Sequence, residues 1–251
     1  THGRQAIVRL RIRLADGREA WGYSAEALAA KWFDKNPALS DEQNLDQLRK
    51  ALQLAAEAYR AGGPRTAFGF FADHYGEHNA ACARLGLLPL VASFGPALLD
   101  RAILDALCRI ERLSFYAAMQ ANLPGMAPHP ILPDLRGFDF DAFLAGLRPR
   151  AGIQARHTVG LVDPITAADQ AAGTRVDDGL PETLEEVVQV YGHRYYKLKV
   201  GGDVAADIDR LGRIAAVLDR IPDGYRASLD GNEQYETAEA ALELWRAIEA
   251  A

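Results

Sequence analysis

Disulfide chemistry has almost nothing to work with in this 251-residue chain, which has two cysteines, Cys82 and Cys108. Both fall in stretches of helical pattern, where a free thiol serves as a small buried hydrophobe. A reducing, cytoplasmic location is the expectation. Long apolar runs are missing as well: none approaches the roughly 20 residues of a membrane-spanning helix. The opening Thr1-His-Gly-Arg-Gln5 lacks the apolar stretch of a secretory signal. Basic charge is also short, since 28 lysines and arginines against 34 acidic residues give a formal net charge of −6. That balance excludes general nucleic-acid binding, because neutralising phosphates needs a basic face. The one basic row, Arg9, Arg11 and Arg13, alternates with Val8, Leu10, Ile12 and Leu14. It reads as the solvated face of a strand whose long stems cover apolar surface.

The chain changes character along its length. In the first half, Asp16-Gly17 supplies a hairpin turn after the alternating strand, and residues 18–22 form the return. Leu45, Leu48, Leu52, Ala55 and Tyr59 make an amphipathic helical stripe, and Pro96 to Glu111 is apolar on most sides, the mark of a buried helix. Leu123 to Pro133 then carries four prolines, which forbid regular structure and mark an interdomain connection. After a short helix around Phe138 to Leu147, strands and helices alternate. Residues 152–162 read as a first strand and Tyr195 to Gly201 as a second. Asp203 to Ile221 is a crossover helix, Tyr225 to Asn232 a third strand, and Thr237 to Ala251 another helix. Such repetition argues for a parallel sheet with ligands at the carboxyl ends of its strands. The domains expected are an α+β unit over 1–123, a linker and connecting helix over 124–150, and a β/α unit over 151–251.

Two motifs carry the chemistry. In Tyr195-Tyr-Lys-Leu-Lys-Val-Gly201 the two-residue period sends Tyr195, Lys197 and Lys199 to one face. In Tyr225-Arg-Ala-Ser-Leu-Asp-Gly-Asn232 it aligns Arg226, Ser228, Asp230 and Asn232. If the strands are parallel neighbours, Lys199 and Asp230 share one rim, an arrangement able to deprotonate a carbon acid. Alone, Lys-x-Lys is a solvated strand edge and Asp-Gly-Asn a turn; together, on consecutive βα units, they point to a site.

With these motifs, Tyr196-Lys-Leu-Lys-Val-Gly-Gly-Asp203 and Ser228-Leu-Asp-Gly-Asn232, the chain resembles the enolase superfamily, in its mandelate-racemase and muconate-lactonizing branches. The resemblance implies an α+β capping domain followed by a (β/α) TIM-type barrel, here incomplete at about three βα units. It implies Lys199 as general base, Lys197 on the substrate carboxylate, and Asp230, with Asn232 beside it, holding Mg²⁺. It places a substrate-selecting segment of the cap at Trp21 to Pro37, with Tyr23, Ser24 and Trp32 as candidates against the plainer reading that Trp32 and Phe33 anchor the cap. Thr158, Asp163 and Thr166, on and after the first strand, are further substrate candidates or plain loop residues. The reaction implied is α-proton abstraction from a carboxylate, giving an enediolate that collapses by racemisation or epimerisation, acid-sugar dehydration or cycloisomerisation. A small carboxylate substrate and a homo-oligomer are the expected partners, with no nucleic acid and no membrane.

A complete barrel takes about 250 residues, so the expectation is a truncated version of a longer enzyme whose remaining metal ligands lie beyond Ala251. The alternatives are a non-catalytic barrel that binds without chemistry and a Schiff-base aldolase using Lys197 or Lys199 as nucleophile. His74 and His78 have the spacing of a helical zinc pair, but no third ligand is evident, and cap packing is the plainer reading. His157 is expected to face the helices, and His193 to lie far from the chemistry.

Overall fold

A computed structural model describes residues 3–250; Thr1 and His2 of the opening segment, and Ala251 at the expected helix end, lie outside the described residues. The chain is mixed α and β and forms two compact units, Thr1–Pro149 and Arg150–Ala251.

The first unit opens with the antiparallel pair β1 (Gln5–Arg13) and β2 (Glu19–Ala27). Asp16 holds the turn by accepting from Arg18 N–H at 3.0 Å, and Gly17 takes the positive φ that the turn requires. On β1 the arginines are exposed while Val8, Leu10 and Ile12 face inward. β2 does not stop at Gly22 as the sequence suggests. Its inner face continues as Ala20, Gly22, Ser24 and Glu26, too small and polar to register as an apolar alternation, and Gly22 is buried. A Cβ built on Gly22 would overlap the Ala102 carbonyl oxygen and lie 2.7 Å from Ala106 N, so the strand lies directly on a helix backbone.

After a short turn of helix, α1 (Ala30–Phe33), come α2 (Asp41–Ala61), α3 (Ala67–Arg84) and α4 (Pro89–Glu111). A Ser40/Gln43 capping box starts α2, Thr66 caps α3, and Pro89 occupies the first turn of α4, where its missing N–H costs nothing. The apolar girdle of α4 has a direct cause: β1 and β2 cover part of it, and α2 and α3 cover the rest. Leu48, Ala51, Val91 and Leu98 are fully buried where α2 and α4 cross. Pro96 interrupts the hydrogen bonding of α4, since it has no N–H for the Ala92 carbonyl. His78 of α3 replaces that donor, its Nε2 lying 2.8 Å from Ala92 O in the buried interior. Carbonyl acceptance fixes the proton on Nε2. His74 Nε2 likewise meets Ala58 O at 2.9 Å. Both histidines thus tie helices together.

Of residues 124–150, read as a linker and connecting helix, 124–149 belong to the first unit. α5 (Phe115–Gln120) precedes them and α6 (Phe140–Ala145) lies within them. Asn122 anchors the proline-rich stretch, donating through its amide to Met126 O at 2.9 Å and accepting from Met126 N at 2.8 Å. Phe68 N–H donates to Pro124 O at 2.9 Å.

The second unit is a three-stranded parallel sheet in the order β3 (Arg156–Val159), β4 (Tyr195–Lys199), β5 (Arg226–Asp230). Helix α7 (Leu184–Tyr191) joins the first two strands, α8 (Val204–Leu218) joins the last two, and α9 (Ala238–Ala250) follows. Among the described residues the sheet is not closed into a barrel. One face is apolar, with Val159, Tyr196 and Leu198 buried against Leu184, Ile214, Val217 and Leu218. His157 is on this helix-facing side and stacks on His193 at 5.9 Å. Burial, helped by His193, lowers the His157 pKa. The opposite face carries Arg156 and Thr158, Tyr195, Lys197 and Lys199, and Arg226, Ser228 and Asp230.

β3 is shorter than the 152–162 stretch read from sequence. At its end the Asp163 carboxylate accepts from Gly160 N–H at 2.7 Å and turns the chain, and Arg210 of α8 clasps the turn through Gly160 O and Asp163 O at 2.6 and 2.9 Å. Thr166 and Asp169 form a local capping box. Asp163 and Thr166 are therefore occupied as loop builders.

Candidate active site

Parallel register places Lys197 opposite Ser228 and Lys199 opposite Asp230, with Thr158 beside Lys197 on the other side. Both lysine ammoniums converge on one oxygen of Asp230. Lys199 Nζ lies 2.8 Å from Oδ2, and Lys197 Nζ makes a close ion pair with the same atom. The second oxygen, Oδ1, accepts from Asn232 N–H at 2.9 Å. Lys199 also donates to Asn232 Oδ1 at 3.0 Å. The Asp-Gly-Asn turn and the ion pairs are thus two uses of one carboxylate, and each fixes an oxygen in place. Asn232 takes the left-handed conformation, with φ of 47°, which Asn tolerates better than most residues. Lys197, with Lys199 and the backbone N–H of Asn232, holds the Asp230 carboxyl well below the usual carboxylate range.

A buried carboxylate that sequence reasoning did not find supports this rim. Asp207, in the first turn of α8 and 5% exposed, accepts from Gly201 N–H at 2.7 Å, Gly202 N–H at 2.9 Å and the Tyr235 hydroxyl at 3.2 Å. Asp207 joins the loop after Lys199 to the loop after Asp230. Its signal in the sequence was a Gly-Gly pair whose N–H groups need an acceptor, followed by an acidic residue on the inner side of the next helix.

The remaining candidates separate from this cluster. Thr158 is exposed on the lysine-bearing face. Tyr23 and Ser24 are residues of β2 and not of a loop, because the strand runs on along α4. The Ser24 hydroxyl donates to Leu98 O at 2.7 Å, and Tyr23 N–H donates to Asp105 at 2.9 Å. Trp32 is 64% exposed in α1, beside a groove of about 690 Å³ that it lines with Lys31, Arg4 and Glu42. These three belong to the first unit by themselves.

Asp230 and Asn232 offer hard oxygen donors of the kind Mg²⁺ takes. The ion's near-octahedral shell is commonly filled by one or two carboxylates with water and substrate oxygens. The donor chemistry fits that role; both lysines share Asp230 Oδ2, Lys199 alone shares Asn232 Oδ1, and no third acidic or histidine ligand converges there among the described residues. No helix among the described residues is long and apolar enough to cross a membrane. Compared with known proteins, the chain matches no family model and no curated protein.

Proposed function

We propose that the β4–β5 rim is a proton-transfer site for a carbon acid. The reaction class is abstraction of the α-proton of a small carboxylate, as in racemases, acid-sugar dehydratases and cycloisomerases of the enolase superfamily. The observation that carries this reading is the convergence of two lysine ammoniums on one carboxylate at the carboxyl end of adjacent parallel strands. On the same reading the first unit corresponds to a capping domain, and the second to the first three βα units of a barrel. The parallel order β3-β4-β5, its crossover helices and its polar inner face support it.

Each residue has a distinct task. Two ammoniums facing one carboxylate leave a local charge of about +1 in a chain of formal charge −6, which draws an anionic substrate to this rim. Lys197, lying one pleat further from the rim, exchanges its contact with Asp230 for the incoming carboxylate. Lys199 sits nearest the rim, two residues further along the strand, roughly 6–7 Å at the rise of a strand. It accepts the α-proton once it has itself been deprotonated, as any lysine base must be. Asp230 and Asn232 would hold Mg²⁺, which when bound supplies Lewis-acid stabilisation of the developing enediolate charge. Asp207 keeps the two loops in place.

The test is solvent-deuterium incorporation followed by NMR over a library of 2-hydroxy and sugar acids. Lys199→Met, which keeps the stem and removes the amine, is expected to abolish exchange while leaving Mg²⁺ bound. Lys197→Met is expected to weaken substrate binding first. Exchange at the wild-type rate in Lys199→Met rejects it as the base. Borohydride trapping of a carbonyl substrate on either lysine would replace this reading with a Schiff-base one.

A further inference from the structure

The first unit holds a cavity that the proton-transfer reading leaves unused. Helices α3, α4 and α5 and residues 124–126 surround about 180 Å³, walled by Phe68, Phe71, Phe115, Met119 and Met126, with Asp100 of α4 its only acidic or basic lining residue among those described. The Tyr59 hydroxyl donates to Asp100 Oδ1 at 2.9 Å. Among the described residues no cation is paired with this carboxylate, whereas Asp16, Glu42, Asp169 and Asp230 each meet a lysine or arginine. Burial pushes the Asp100 carboxyl up to about 6, against the opposing effect of Tyr59.

Asp100 is half-buried, and a carboxylate held partly out of water without a counter-charge carries a cost that a ligand cation relieves. Aromatic faces and thioether sulfurs form the wall that best receives the organic part of such a cation. The site is open to solvent on one side, with Phe115 61% exposed, so its volume sets how much of a ligand it covers, about one ring by comparison with an apolar cavity of about 150 Å³ that holds benzene. We propose that this cavity binds a small primary or secondary ammonium bearing a single aromatic ring or branched alkyl group, with its nitrogen on Asp100 and its body among the Phe and Met side chains. The site is independent of the lysine rim.

The charged surroundings of Asp100 are few. Tyr59 of α2 touches it, and His74 of α3 packs edge-on against the Tyr59 ring at 5.5 Å, its pKa lowered by burial and by Arg65. On α4, the neighbouring Arg101 pairs with Glu26 of β2 at 3.1 Å. Neither α5 nor residues 124–126 bring an acidic or basic side chain.

The experiment titrates the full chain with benzylamine, and with benzyl alcohol as its neutral counterpart, using calorimetry and amide NMR shifts at pH 7.5. Benzylamine is expected to bind at least about tenfold more tightly, the order of a charge-assisted hydrogen bond, with shifts centred on Phe68, Phe71 and Phe115. Asp100→Asn should remove the preference for the amine and keep the affinity for the alcohol. In the unmodified protein the preference should fade as pH drops through about 6, where Asp100 loses its charge, which is a test that needs no variant. Equal affinity for amine and alcohol at pH 7.5, an amine preference retained in folded Asp100→Asn, or shifts that fall elsewhere would each overturn the proposal.

Discussion

Replacing Asp100 by Asn should make the protein more stable at neutral pH, by an amount the structure sets. The carboxyl has an ordinary value of 3.8 and is pushed up to about 6 in the folded chain, mainly by burial. Unfolded, it releases its proton near the ordinary value; folded, it holds on to it. Between those two pH values the folded state carries a proton that the unfolded state has lost, so stability falls as pH rises through the window. The full penalty applies above about 6. A difference of roughly two pH units, at about 1.4 kcal/mol each, gives about 3 kcal/mol. Asn does not titrate and its carbonyl still accepts from Tyr59, so the variant keeps the hydrogen bond and escapes the penalty. The assay is urea unfolding from pH 4 to 8 in a Trp245→Phe background, where Trp21 and Trp32 report on the first unit alone. The variant and its parent should agree near pH 4 and diverge to about 3 kcal/mol by pH 7. A difference that does not change with pH, or a variant less stable at pH 7, would refute the reasoning.

Other expectations are more local. Because Lys197 and Lys199 hold Asp230 ionised, its ¹³C carboxyl signal should show no titration around the ordinary aspartate value of 3.8; a midpoint there would show that the two ion pairs do not form in solution. Asp207→Asn should expose the Gly201 and Gly202 amides to exchange and cost about 1–3 kcal/mol of local protection, with unchanged exchange counting against its bracing role. Gly22→Val forces a branched three-carbon side chain into the backbone of α4, and a loss at the upper end of about 1–3 kcal/mol is expected in thermal unfolding. Leu48→Ala, at a fully buried position between α2 and α4, should cost about 2–5 kcal/mol by the same measurement.

The lysine rim was legible in the sequence because a strand's two-residue period is strict: once Tyr195 to Val200 is a strand, Lys197 and Lys199 must share a face. The helical stripes of α2 and α8 were legible for a similar reason. What escaped was structure written in small or polar residues. Ala20, Gly22 and Ser24 gave no apolar alternation, yet close approach to α4 rather than hydrophobicity carries β2 to Ala27. Asp207 looked like one more charge on a helix, and only the fold turns it toward the Gly201 and Gly202 amides. The Thr183-x-x-Glu186 capping box that opens α7 was present to be read and lay beyond a long polar stretch. The proline-rich segment could not be assigned from sequence, because proline forbids helix and strand but says nothing of the side chains, such as Asn122, that pin it down.

The bond from His78 to the carbonyl that Pro96 leaves without a donor bears on how this sequence can drift. The two positions are coupled through Ala92, which neither replaces. If Pro96 changes first to a residue with an N–H, the helix recovers its own donor and His78 becomes dispensable. If His78 is lost first, a buried carbonyl is stranded, and the lineage must cross a less stable intermediate before the proline can go. The order of substitution therefore decides which path is open, and His78 should persist in descendants for as long as Pro96 does.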